Sequence, residues 1–187
     1  MTRDRQRLTE GVIALVLFGL TIPAANWLIG NAGAVCVPNG PCLVPVWPGI
    51  MAPSGVLMVG LALVLRDIVQ RRLGPLAGLG AIAVGALISA TLAPPAIVLA
   101  SVAAFLLSEL ADFAVYTPLQ RRRFVTAVFA SSVVGLVVDS LVFLHLAFGS
   151  LDFLAGQIIG KAWMVLLALP LMHLLRRRDE RLGLVAA

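Results

Sequence analysis

Phe105-Leu-Leu-Ser-Glu-Leu-Ala-Asp-Phe-Ala-Val-Tyr116, running on into Thr-Pro-Leu-Gln-Arg121-Arg-Arg, has the composition of the inner half of a membrane-spanning helix, yet it holds Glu109 and Asp112. Ionisable groups at such depth are costly and normally face a bundle interior or a wet cavity. Glu109, Asp112 and Tyr116 recur at i, i+3 and i+7, one stripe of a helix, with Ser101, Phe105 and Ser108 on or beside it. The three arginines mark where that helix leaves the lipid. An acidic seam of this kind needs partners on neighbouring helices.

Composition settles the class. Sixty per cent of the 187 residues are hydrophobic, 12% are charged, and the mean hydropathy is +1.03. No soluble domain of this length has interior enough for so much apolar surface, so the chain is a polytopic membrane protein. A span covers roughly 30 Å of hydrocarbon and takes about 20 helical residues. Segments at about 11–29, 50–70, 75–93, 96–116, 124–148 and 153–175 qualify. They lack the period-two alternation of β-barrel strands. The expectation is one integral membrane domain, residues 1–187, folded as an all-α bundle of six transmembrane helices. The first run exceeds a typical signal-peptide core and lacks a small-residue cleavage site, so it reads as a retained span.

Basic residues orient the bundle. Thirteen of the fourteen Lys and Arg fall before span one, at the end of span two, between spans four and five, or after span six. The positive-inside rule then places both termini in the cytoplasm. The sequence pI near 10.6 is topology information, because the arginines are spread over four short segments rather than gathered into a nucleic-acid patch. No nucleic-acid partner is expected.

Span one carries Pro23 and, one turn later, Asn26. Pro23 cannot donate to the carbonyl of Gly19, which kinks or loosens the helix. Such interrupted helices line transport sites or are plain kinks. Gly30 to Pro48 forms the longest outer loop, rich in Gly and Pro, either a lid or a link between helix tops. Within it Cys36 and Cys42 bracket a turn-prone stretch and are either disulfide-bonded or two free thiols. Trp27 and Trp47 suit the interfacial aromatic belt. Span two ends in Arg66-Asp67-Ile-Val-Gln70-Arg-Arg, where Arg66 either snorkels or pairs with Asp67, Glu109 or Asp112. Span three has a small-residue stripe, Gly78, Ala81, Gly85 and Ser89, suited to close packing. Asp139 in span five and Lys161 in span six lie at similar depth and are expected to pair, since pairing meets the desolvation cost of both. Gly156 and Gly160 would let span six approach a neighbour closely.

These polar residues fall into two depths. Asn26, Asp139, Gln157 and Lys161 lie in the outer half; Arg66, Asp67, Glu109, Asp112 and Tyr116 run from the middle to the inner edge. Interhelical hydrogen bonds worth about 0.6 kcal/mol each account for one or two such residues, but not nine. A small-molecule transporter or substrate-binding membrane subunit accounts for them, with carboxylates and amides around a central pocket. Enzyme readings are weak. His145 and His173 sit at opposite ends of their helices, and no serine stands in a nucleophile turn. No metal-ligand spacing and no nucleotide-binding loop exists, so no cofactor or metal is expected and any ATP coupling needs another subunit.

Leu65-Arg-Asp-Ile-Val-Gln-Arg-Arg-Leu-Gly74, the Phe105 to Tyr116 stretch, Gly135-Leu-Val-Val-Asp-Ser140 and Gly156-Gln-Ile-Ile-Gly-Lys161 resemble the VUT family of queuosine precursor transporters. The similarity runs from Ile22-Pro-Ala-Ala-Asn26 to span six. It implies a six-span, multi-pass protein of the inner membrane that imports 7-cyano-7-deazaguanine (preQ0) or a related 7-deazapurine. It also implies a bundle similar to the substrate-binding subunits of energy-coupling-factor vitamin transporters. On this resemblance Glu109 and then Asp139 would accept the adjacent donors of a guanine-like edge. Asn26 and Gln157 would serve its carbonyl and ring nitrogen, and Trp27 or Trp163 would stack on its plane. Lys161 either touches the ligand or only neutralises Asp139. Asp112, Tyr116, Arg66 and Asp67 would form the inner path. The alternatives are a binding subunit of an ATP-driven vitamin-type uptake complex, or a membrane scaffold. Partners beyond the deazapurine are membrane lipid, with homo-oligomerisation left open.

Overall fold

The computed structural model describes residues 3–38, 40–93, 95 and 97–183. The helices are α1 (Arg3–Asn31), α2 (Val56–Leu73), α3 (Pro75–Leu92), α4 (Val98–Leu119), α5 (Phe124–Phe148) and α6 (Leu154–Leu182). All except α2 are long and apolar enough to cross a membrane. They turn large side chains such as Leu87, Leu99 and Leu167 outward, as helices surrounded by lipid do. The chain is a multi-pass membrane protein.

Helix α2 falls short of that composition because Arg66, Asp67, Gln70, Arg71 and Arg72 crowd its second half. It is also the most enclosed helix: twelve of its eighteen residues are buried. It packs against α1, α3 and α6, and touches α4 and α5. A polar helix is tolerated at the centre of an apolar bundle because its neighbours, rather than lipid, surround it. Leu63 and Val64 of α2 join Tyr116, Phe124, Val128, Leu136, Val165 and Met172 in the largest core cluster, which ties α2 to α4, α5 and α6.

Two glycines make the packing possible. Gly74 links α2 directly to α3 with φ +96°, a conformation that side chains disfavour, and Pro75 then opens α3 at a position needing no N–H. At Gly60 a Cβ would meet the backbone carbonyl oxygen of Lys161 at 2.6 Å, so α2 and α6 touch backbone to backbone. Gly156 likewise admits the backbone of Met51 in β3, and Gly160 admits the side chain of Val56. The Gly78, Ala81, Gly85 and Ser89 stripe is buried, as expected of a packing seam.

The first connection differs from the expected irregular loop. It contains β1 (Val35–Cys36), β2 (Cys42–Trp47) and β3 (Ile50–Pro53), an antiparallel sheet in the order β1-β2-β3. Cys36 pairs with Cys42 across the first two strands and is disulfide-bonded to it. The second apolar run therefore begins as a strand, and its helix starts at residue 56 rather than 50. A short apolar run with Pro53 and Gly55 at its end satisfies either reading by hydropathy alone. The sequence also suggests a short turn at Pro94-Pro95 between the third and fourth spans, of which Pro94 lies outside the described residues.

The two ends of the bundle are unlike. One carries the sheet. At the other, Arg71 and Arg72 of α2 share Asp179 of α6, with nitrogen–oxygen distances of 2.9 and 2.8 Å. There Arg72 also reaches Glu10 of α1 at 2.9 Å, and Arg178 pairs with Glu10. Burial alone would lower the Arg72 pKa, but Asp179 and Glu10 outweigh it and raise it. The first and last helices thus meet at this arginine-rich end.

Candidate functional site

A cavity enclosing about 790 Å³, its open mouth included, lies in the sheet-end half of the bundle. All six helices contribute to its wall, and so does Pro53 of β3. Its apolar surface comes from side chains such as Ile22, Met58, Val59, Phe105 and Phe143, and its polar groups are few: Asn26, Ser89, Ser101, Glu109, Asp139 and Gln157 among them. That mixture belongs to small-molecule sites. No Lys, Arg or His lines it among the described residues.

Glu109 forms part of the floor. Its Oε2 accepts from Arg66 Nε at 3.1 Å, and the same guanidinium donates to Asp112 Oδ1 and, at 2.8 Å, to Gln70 Oε1. Asp67 completes the cluster with Oδ1 3.0 Å from Arg66 Nη1, while its Oδ2 accepts from Ser131 at 3.2 Å. Tyr116 donates to the Asp67 carbonyl at 3.1 Å, and Gln70 donates to Thr117 at 2.9 Å. All these side chains are buried except the half-buried Thr117. Arg66 therefore does not snorkel; it pairs with all three carboxylates open to it.

One wall carries the second ion pair. Lys161 donates to Asp139 Oδ2 at 2.6 Å, to Ser140 Oγ at 2.8 Å and to Gln157 Oε1. The expected Asp139–Lys161 pairing is present, and Lys161 itself is enclosed behind the cavity wall. Asn26, which lines the cavity, donates through Nδ2 to the carbonyl of Ile22 at 3.0 Å, one turn back across Pro23.

The structure thus brings Asn26, Glu109, Asp139 and Gln157 to one cavity. It separates the other expected residues from it. Trp27 is 59% exposed on the outside of α1. Trp163 turns to the sheet, donating to the Val46 carbonyl at 2.9 Å and stacking on Trp47 at 6.2 Å. Neither tryptophan lines the cavity; Phe105 and Phe143 do. Phe105 lies on or beside the acidic stripe of its helix, whereas nothing distinguishes Phe143 among the eight phenylalanines of the sequence, since ring direction depends on helix rotation. Arg66, Asp67, Asp112 and Tyr116, expected along an inner path, instead interlock beneath the floor. The buried Asp179 clamp was also unexpected, because acids and arginines near helix ends read as solvated.

No curated protein and no solved structure gives a match. Residues 89–175, just under half of the chain, match the family described as "Putative vitamin uptake transporter". The matched stretch runs from the end of α3 into α6 and contains Glu109, Asp139, Gln157 and Lys161, whereas Asn26 and Arg66 precede it. Over those residues, the chain is similar to vitamin uptake transporters.

Proposed function

We propose that the chain is an inner-membrane importer of a queuosine precursor, preQ0 or a related 7-deazapurine, which it holds in the sheet-end cavity. The sheet end faces outward in this reading and the arginine-rich end faces the cytoplasm, in keeping with the positive-inside rule. The observation that carries the proposal is the pair of cavity carboxylates, Glu109 and Asp139, with no basic side chain beside them in the lining. An anionic vitamin would meet acceptors and find no partner. An uncharged, flat heterocycle with adjacent N–H and amino donors would meet one free oxygen on each of the two carboxylates. Phe105 and Phe143 offer aromatic surface for its plane.

The test is restoration of queuosine in tRNA in a host unable to make or import deazapurines, given this gene and external preQ0. Queuosine should return. Its absence despite good membrane expression overturns the reading. The sealed floor favours a second reading, a binding subunit that releases its ligand only with an ATP-driven partner. Uptake of preQ0 by liposomes holding this chain alone would exclude that alternative.

A further inference from the structure

The atoms that Lys161 occupies decide which atoms its neighbours have left. An ammonium group has three donors and no acceptor. Here all three are used, on Asp139 Oδ2, Ser140 Oγ and Gln157 Oε1. Ser140 can only accept from it, because its own proton goes to the Leu136 carbonyl at 2.6 Å. Turning the Gln157 amide over would set its NH2 against a group that can only donate. Oε1 is therefore held inward, and Nε2 is left for the cavity. The same contact occupies one oxygen of Asp139 and leaves Oδ1. Arg66 likewise occupies Oε2 of Glu109 and leaves Oε1.

We propose that Lys161 is a positioning residue for ligand discrimination. Without lining the cavity, it locks Gln157 so that Nε2 donates to a carbonyl of the ligand beside the acceptor oxygen of Asp139. The inference rests on the purine-like ligand proposed above and adds which protein group reads which edge. A ligand carrying an amino group in place of that carbonyl sets donor against donor, and the lock prevents Gln157 from adapting. A buried polar group left unmatched in this way is what gives such sites their selectivity.

Competition binding to the purified full chain tests this with two probes, 7-deazaguanine and 2,6-diamino-7-deazapurine, which differ at the carbonyl and, with it, at the adjacent ring nitrogen, a donor in the first and an acceptor in the second. The wild-type protein should prefer the carbonyl compound by roughly tenfold or more. In Lys161→Met, and in the charge-balanced double variant Asp139→Asn/Lys161→Met, the amide is free to turn. The preference should then fall at least about threefold from the wild-type ratio, even where both affinities drop together, and what remains is read at the ring nitrogen by the carboxylates. General damage to the fold would weaken both probes without moving their ratio. A wild-type ratio below about threefold overturns the inference whatever the variants do. So does an unchanged ratio in a variant that remains monodisperse, and in both cases the transport reading survives. Failure of the wild-type protein to bind either probe overturns that reading and the inference with it.

Discussion

Glu109 is gripped through one oxygen and offers the other to the cavity, so its two roles separate by substitution. Glu109→Gln keeps the shape and removes the charge. We expect ligand affinity, measured by calorimetry, to fall roughly 10- to 100-fold, the worth of one hydrogen bond to a charged group. The thermal midpoint should move little, because Arg66 keeps Asp67 and Asp112. Arg66→Met is the opposite case: three buried carboxylates lose their only cation, and stability should fall by about 3–5 kcal/mol in detergent unfolding. Residues of this kind were legible in the sequence for a simple reason. A carboxylate or amide within an apolar helix must be compensated, and stripe spacing says where to look. Asn26, Glu109, Asp139 and Gln157 were found that way. Trp27 and Trp163 show the limit, since an aromatic ring is content in lipid, against a sheet or over a ligand.

At the scale of elements, α2 and α6 depend on one backbone-to-backbone contact. Gly60→Ala would drive a methyl group into the Lys161 carbonyl oxygen, and neither backbone can yield without shifting the ion pair behind the cavity wall. A loss of about 1–3 kcal/mol in unfolding free energy is expected, with weakened ligand binding alongside it. Helix positions were readable from hydropathy: the expected 124–148 span coincides with α5, and the others with their helices to within a few residues, apart from the start of α2 and the extensions of α1 and α6 at the arginine-rich end. The small sheet was not readable. Its strands are short, and Pro, Gly and Cys within 30–55 suit a loop as well as a meander. Strands β2 and β3 both pack against α6, a contact that no local pattern announces.

For the whole molecule, the arginine-rich end is the place where α1, α2 and α6 are tied. Asp179 alone answers two arginines there. Asp179→Ala should destabilise the protein by about 3–5 kcal/mol, read as a lower midpoint of detergent unfolding, because it strands the buried Arg71 guanidinium and leaves Arg72 only Glu10. Affinity for the ligand should be almost unchanged, since the sheet-end cavity lies at the opposite end of α2. A combined loss of affinity and stability would show that the two ends are coupled more tightly than their separation suggests.

The charge carried by α2 also bears on how the chain is made. A segment holding Arg66 and Asp67 partitions poorly into lipid by itself, at a cost near 2.5–3.5 kcal/mol for each charge at the centre of a span. The side chains that neutralise it, Glu109 and Asp112, are synthesised later, on α4. During biogenesis, then, α2 has to wait at the insertion machinery, or enter paired with α3 as a hairpin, until a downstream segment arrives to settle it. Ribosome pausing or truncation ahead of residue 112 would leave the central helix of the finished protein without a stable place in the bilayer.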